Sequence, residues 1–319
     1  MQRSKERKEL IMADFLTHDL FGDMVRKEAP VEVRELAGQY PEAYRWGLQG
    51  PDILFFRSLW KEGGPFHHAA GRMHGENTDG LFFAMTEHIR RQEGEKQKVL
   101  LSYFYGFLCH YALDSAIHPY VYALQKKGVE KNPGVMSGVI HCQIETDIDM
   151  ALYSRWEGRP ITDFHPYDGH HLPTGQQWII GELYETVLLE VYGEVVPAEE
   201  VTHSFADTLL VEELLYRQGK KLGKAAYALG LFRPEWSDFV SHAKITAPSW
   251  DALNLKKRGW RSPDEPEVLR KDSVPEIMEQ AEGRVLQLME AYVRMFAGLE
   301  WGALHYEVSF DNGNHFAGN

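Results

Sequence analysis

His110, Asp114 and His118 stand at positions i, i+4 and i+8 within YFYGFLCHYALDSAIHPYVY, residues 103–122. Each four-residue step on a helix turns the side chain by only about 40°, so the three share one stripe. Nearly every residue between them is apolar or aromatic, so the stripe faces a core rather than water. Two imidazoles and a carboxylate in a core need compensation, and a metal ion supplies it. The run HCQIETDID repeats the device with His141, Glu145 and Asp149.

Side chains at i and i+4 lie roughly 6 Å apart and can chelate one ion. Residues i and i+8 are about 12 Å apart along the axis and cannot. His110 and His118 should therefore serve different ions, with Asp114 between them as a bridge. His141 and Glu145 face the same space if the two helices pack side by side. Imidazole and carboxylate without thiolate suit zinc better than manganese or iron. A lone HxxxD is more often a capped or salt-bridged pair than a ligand set; two such sets on apolar helices reverse those odds.

The elements that must position these residues are helical throughout. Amphipathic periodicity predicts helices over 12–27, with Phe15, Leu16, Leu20, Met24 and His18, and over 31–44. Gly47, Gly50 and Pro51 break the pattern just before Asp52. A loop is expected over 63–75, with His74 leading into a helix over 77–90. The central helix is predicted over 96–118, stopped by Pro119. The second striped helix covers 135–153, followed by a Gly-, Pro- and His-rich non-helical stretch over 157–174. Further helices are expected over 175–192, 198–229, 236–243 and 274–299. Strand alternation is scarce and no internal repeat is visible. The expected architecture is a single all-α domain over 12–319, preceded by a mobile extension over 1–11. Met12 offers an alternative start.

Composition bounds the function. The 319 residues carry 47 acidic against 34 basic side chains, a net charge of −13. Such a chain repels phosphate backbones, so no long nucleic acid is expected as a partner. Cys109 and Cys142 are too few for a disulfide framework. Each is one residue off a stripe and so points about 100° away from it, as a small core residue. His67, His68, His165, His170 and His171 lie in Gly/Pro-rich stretches and read as solvated loop residues. No run of 18 apolar residues exists, so no transmembrane span is expected. The basic start MQRSKERKEL leads into an apolar run broken by Asp14. No signal peptide is recognised there, and the expected location is cytoplasmic.

Read in order, FLTHDLFG (His18), WGLQGPDILFF (Asp52), GRMHGENTDGLFF (His74), YGFLCHYALDSAIHPYV and HCQIETDID, with a weaker piece in LNLKKRGWRSPDEP, resemble the bacterial zinc-dependent phospholipase C family. Its all-helical fold is shared with single-strand-specific zinc nucleases. The resemblance covers most of the chain, and the order of the pieces is what makes it specific.

The resemblance implies up to three zinc ions. Asp52, His74, His110 and Asp114 would hold the first. His118, His141 and Glu145 would hold the second, and His18 with a bridging Asp114 the third. Asp149 would orient a ligand or a neighbouring backbone group. For the loop ligand, His74 is preferred over His67 or His68 on its motif. Asp52 would double as a proton acceptor for the attacking water. A core histidine and a helix N-cap are the competing roles of His18 and Asp52.

Secreted members of this family complete the third site with an amino-terminal tryptophan. Here the first tryptophan is Trp46, so two filled sites are expected. The implied activity is hydrolysis of a phosphodiester, such as a phospholipid, by a metal-activated water. The alternatives are an intracellular nuclease-like or small-molecule phosphodiesterase, and a non-catalytic protein that keeps zinc as structure.

Overall fold

The computed structural model describes residues 15–58, 66–158, 171–213 and 248–299, together with 306, 309 and 310. The expected extension over 1–11, the start at Met12, the helix over 236–243, and most of the stretch over 157–174 lie outside them. So does the part of the 198–229 helix beyond residue 213.

The described chain is helical: α1 (Phe15–Glu28), α2 (Val31–Gln39), α3 (Pro41–Leu48), a 3-10 turn (Gly50–Asp52), α4 (Ile53–Phe56), α5 (His67–Gly75), α6 (Thr78–Arg90), α7 (Gly94–Lys131), α8 (Ser137–Glu157), α9 (Thr174–Val187), α10 (Ala198–Glu212) and α11 (Val274–Phe296). A π turn at Leu188–Tyr192 ends α9. Among the described residues there is no strand, only an isolated bridge between Trp260 and Arg270. No described helix is long and apolar enough to cross a membrane.

The axis of the molecule is α7, with 38 residues and hence about 57 Å of length. Residues 102–115 of it are buried without interruption. A helix apolar on every face must be surrounded, and α1, α2, α3, α6, α8, α9 and α11 all pack on it.

Three boundaries differ from expectation. Pro119 does not stop α7, which continues to Lys131. An interior proline forfeits one backbone hydrogen bond and crowds the carbonyl four residues back. Here tertiary bonds hold the helix across the defect: His118 Nδ1 donates to Phe310 O at 2.9 Å and Tyr120 Oη to Ala252 O at 3.0 Å. The single helix expected over 31–44 is two, because Tyr40 precedes Pro41 and takes φ −130°, ψ 62°. A residue before proline is pushed out of the α region, and Pro41 then opens α3 at a position where no N–H is needed. The loop expected over 63–75 is helical from His67.

Helices α3 and α7 approach most closely where two glycines meet. A Cβ on Gly47 would lie 2.1 Å from Tyr103 O, and one on Gly106 would lie 2.1 Å from Tyr44 O. Above this crossing Tyr44 Oη donates to Gly22 O at 3.0 Å and lies 3.4 Å from Cys109 Sγ. Burial pushes the Cys109 thiol up to about 12, so it packs as a neutral core group.

Gly106→Ala should therefore destabilise the chain by at least about 2 kcal/mol through backbone overpacking. Gly283→Ala, on α11 with nothing within 4 Å of the added methyl, should stabilise it by about 0.5–1 kcal/mol through helix propensity. Urea denaturation of the two variants checks the opposite signs.

Candidate metal centre

Five elements deliver side chains to one interior region: His18 from α1, Asp52 from the 3-10 turn, His74 from α5, His110, Asp114 and His118 from α7, and His141 and Glu145 from α8. None of the eight is more than 6% exposed. His18 Nε2 lies 3.1 Å from Asp114 Oδ1, while His110 Nε2 lies 3.1 Å and His74 Nε2 3.8 Å from Asp114 Oδ2. His74 Nε2 is also 3.0 Å from Asp52 Oδ1. In the other half, Glu145 Oε1 is 3.0 Å from His141 Nε2 and 3.4 Å from His118 Nε2. Ligands about 2.1 Å from a tetrahedral ion are about 3.4 Å from one another, so this spacing is that of a ligand shell.

Ring orientation gives the same reading. His74 Nδ1 donates to Ala70 O at 2.9 Å, His110 Nδ1 to Leu48 O at 3.1 Å and His118 Nδ1 to Phe310 O at 2.9 Å. His141 Nδ1 donates to Gln125 Oε1 at 2.9 Å. An outward Nδ1–H bond fixes the tautomer and leaves the Nε2 lone pair facing inward, as metal-bound histidines are held. His74 Nε2 and His110 Nε2 face each other at 3.4 Å. Two lone pairs at that distance repel unless a cation lies near both.

The carboxylates pose the complementary problem. Both oxygens of Asp114, Oδ2 of Asp52 and Oε2 of Glu145 are buried without an aligned donor. Asp114 thus has imidazole nitrogens near it but no N–H aimed at it. The donor set fits zinc: orphaned anionic oxygens and inward lone pairs converge, and sets of three lie within 4.8 Å of one another. Those sets are His18, Asp52, His110; His74, His110, Asp114; and His118, His141, Glu145. The field is strong even without an ion. Burial would raise the Asp114 carboxyl, yet His110, His118 and His18 together hold it well below the usual range. Glu145 is likewise lowered against burial by His141 and His118. Burial would lower His74, and Asp52 with Asp114 raises it instead.

Two further devices hold these side chains in place. Asp149, one turn beyond Glu145, accepts from Leu16 N at 3.1 Å and Thr17 N at 2.9 Å, and also bonds the Thr17 hydroxyl. It binds the first turn of α1, next to His18, onto α8. The Asp52 turn is pinned through Gly50, whose carbonyl accepts from Tyr184 Oη at 2.7 Å and Tyr103 Oη at 3.4 Å. Gly50 has φ +52°, and a Cβ there would lie 2.5 Å from His110 Cδ2.

The alternative loop ligands are otherwise engaged. His67 Nε2 donates to Phe55 O, and half-exposed His68 pairs with Glu194. Both sit on α5, which corrects the solvated-loop expectation for His67, only partly exposed. His171 is exposed; His165 and His170 lie outside the described residues. Sequence reasoning missed Gln125, Tyr184 and Phe310. Gln125 could have been found at i−16 from His141 only by knowing how α7 and α8 cross. Phe310 O is 192 residues from His118, and no spacing rule reaches that far.

A family model described as zinc dependent phospholipase C matches residues 17–185, the span that carries all eight of these side chains. No curated protein and no solved structure matches the chain.

Gly50→Ala should displace His110 and lower zinc affinity at the Asp52–His74–His110 half by about ten-fold or more. The His118–His141–Glu145 half should stay loaded. Zinc stoichiometry after dialysis, by elemental analysis, distinguishes loss of one ion from loss of all.

Proposed function

Because the chain belongs to the zinc-dependent phospholipase C family, we propose that it is a zinc-dependent hydrolase of phosphodiester bonds, with a phospholipid as substrate. The observation that carries this reading is the Asp114 carboxylate, wholly buried, its oxygens divided between His18 on one side and His110 with His74 on the other. That division is the arrangement of a bridging ligand. Bound zinc supplies Lewis-acid activation of water and of the phosphodiester.

The chain's own residues set how many ions are held. Asp52, His74, His110 and Asp114 would hold one, and His118, His141 and Glu145 another. His110 offers a single inward lone pair, because its Nδ1 is bonded to Leu48 O. It cannot serve both sets of which it is a member, so the chain would hold two ions fully, and His18 with Asp114 would make at most a partial third site. The half at Glu145 has three protein ligands, which leaves a fourth position open, as catalytic rather than structural zinc requires.

Asp52 is the side chain we assign as proton acceptor, since its Oδ2 is buried without a donor while Oδ1 is engaged with His74. A pocket of about 20 Å³ lies between α1, α7 and α8, lined by Thr17, His18, Glu145 and Asp149 and by the apolar Leu113, Ile117, Val121 and Ile148. It has room for about one water. The net charge of −13 favours a lipid or small phosphodiester over a polynucleotide.

Purified protein should contain two zinc ions and cleave phosphatidylcholine in a panel that includes a dinucleotide and a soluble aryl phosphodiester. Chelation should abolish turnover, and zinc should restore it. Cleavage of the dinucleotide alone would overturn the lipid assignment. Zinc retained without turnover on any member would overturn the catalytic one.

Asp114→Asn should lose at least one ion and about 10³-fold or more in turnover, far more than Glu145→Gln. Full zinc content and turnover in the Asp114 variant would remove the bridge.

A further inference from the structure

One motif is left over by the metal centre: LNLKKRGWRSP, residues 253–263. It contains Lys256, Lys257 and Arg258, the only run of three consecutive basic residues in a chain of net charge −13. We infer that the turn at 254–258, together with Trp250 and Leu255, docks the protein on an anionic lipid surface.

The turn is built, not loose. Asp251 accepts from Leu255 N and Lys256 N, each at 2.9 Å. Asn254, buried, accepts from Arg258 N at 3.0 Å and donates to the carbonyls of Arg258, Lys271 and Asp272. These bonds hold the basic side chains outward, and all three are exposed. Three of the neighbouring carboxylates are already engaged. Asp251 serves the two N–H groups, Glu265 pairs with Arg270 and Glu276 with Lys257. Lys256 and Arg258 have no carboxylate partner among the described residues.

Apolar surface lies beside these cations. Trp250 is 40% and Leu255 44% exposed, and they border an open groove of about 440 Å³ that runs onto α8 at Ala151, Ser154 and Arg155. Trp250 Nε1 donates to Asp147 Oδ2 at 2.7 Å, so its ring is fixed. A rigid tryptophan and a leucine flanked by lysine and arginine match the interfacial layer of a bilayer, where amphipathic rings and basic side chains meet apolar chains and anionic headgroups. The lipid partner rests on the phospholipase reading; the docking itself is measurable without turnover.

The test uses the full, zinc-loaded chain in co-sedimentation with vesicles of phosphatidylcholine alone and of an equal mixture with phosphatidylserine. Binding should require phosphatidylserine and weaken with salt. Lys256→Gln with Arg258→Gln should lower it roughly thirty-fold, at about five-fold per basic residue, and Leu255→Ser should lower it independently. Unchanged melting temperatures establish that these variants fold. Equal binding to both vesicle types, no binding to either, or binding indifferent to the double substitution overturns the inference. Vesicle binding without phospholipid cleavage leaves the docking face standing and removes the proposed substrate instead. Cleavage of detergent-dispersed phosphatidylcholine without vesicle binding does the reverse.

Discussion

The structure turns on one electrostatic constraint: Asp52, Asp114 and Glu145 are carboxylates in an interior made of helices. Withdrawing one carboxylate from water costs several kcal/mol even after relaxation, and these three have buried oxygens with no aligned donor. The neighbouring imidazoles offset part of that cost, holding Asp114 and Glu145 below the usual carboxylate range against burial. The offset is incomplete, because the Nδ1–H groups of His74, His110, His118 and His141 are turned outward to Ala70, Leu48, Phe310 and Gln125. The geometry is therefore expensive for the metal-free chain and favourable for a zinc-bound one. Metal affinity and folding stability are consequently two readings of one free energy.

The rest of the fold distributes the load. The Gly47–Gly106 crossing lets α3 lie against α7 closely enough for Leu48 O to reach His110. Asp149 fastens α1 to α8 beside His18. Tyr103 and Tyr184, hydrogen-bonded to each other at 2.7 Å, hold the turn that carries Asp52. Phe310 stacks among Phe82, Phe107, Tyr111, His74 and His110, covering the rings with apolar surface that keeps the local dielectric low.

What could be read from the residues alone follows from range. The stripes on α7 and α8 were legible because a helix converts spacing into direction, and His110, Asp114, His141 and Glu145 needed nothing else. Asp52 and His74 were legible only through motif resemblance, since neither belongs to a periodic pattern. Pro119 misled because local propensity opposes a helix there, whereas bonds to Phe310 and Ala252 outweigh it. Residues 67–75 misled because glycine and histidine content suggests a loop, while Ala69, Ala70 and Met73 bury a helical face. The anchors of the imidazole rings were invisible, because each depends on a carbonyl or amide brought in from another element.

The bond from His118 to Phe310 also sets an order of events. On the ribosome, the residues from His18 to Asp114 emerge with Leu48 and Ala70, so His74 and His110 have their own anchors well before residue 310 is made. His118 must wait for residue 310, as must the aromatic lid over His74 and His110. The cluster thus stays uncovered until residue 310 has emerged, and the segment that carries Phe310 then closes over it.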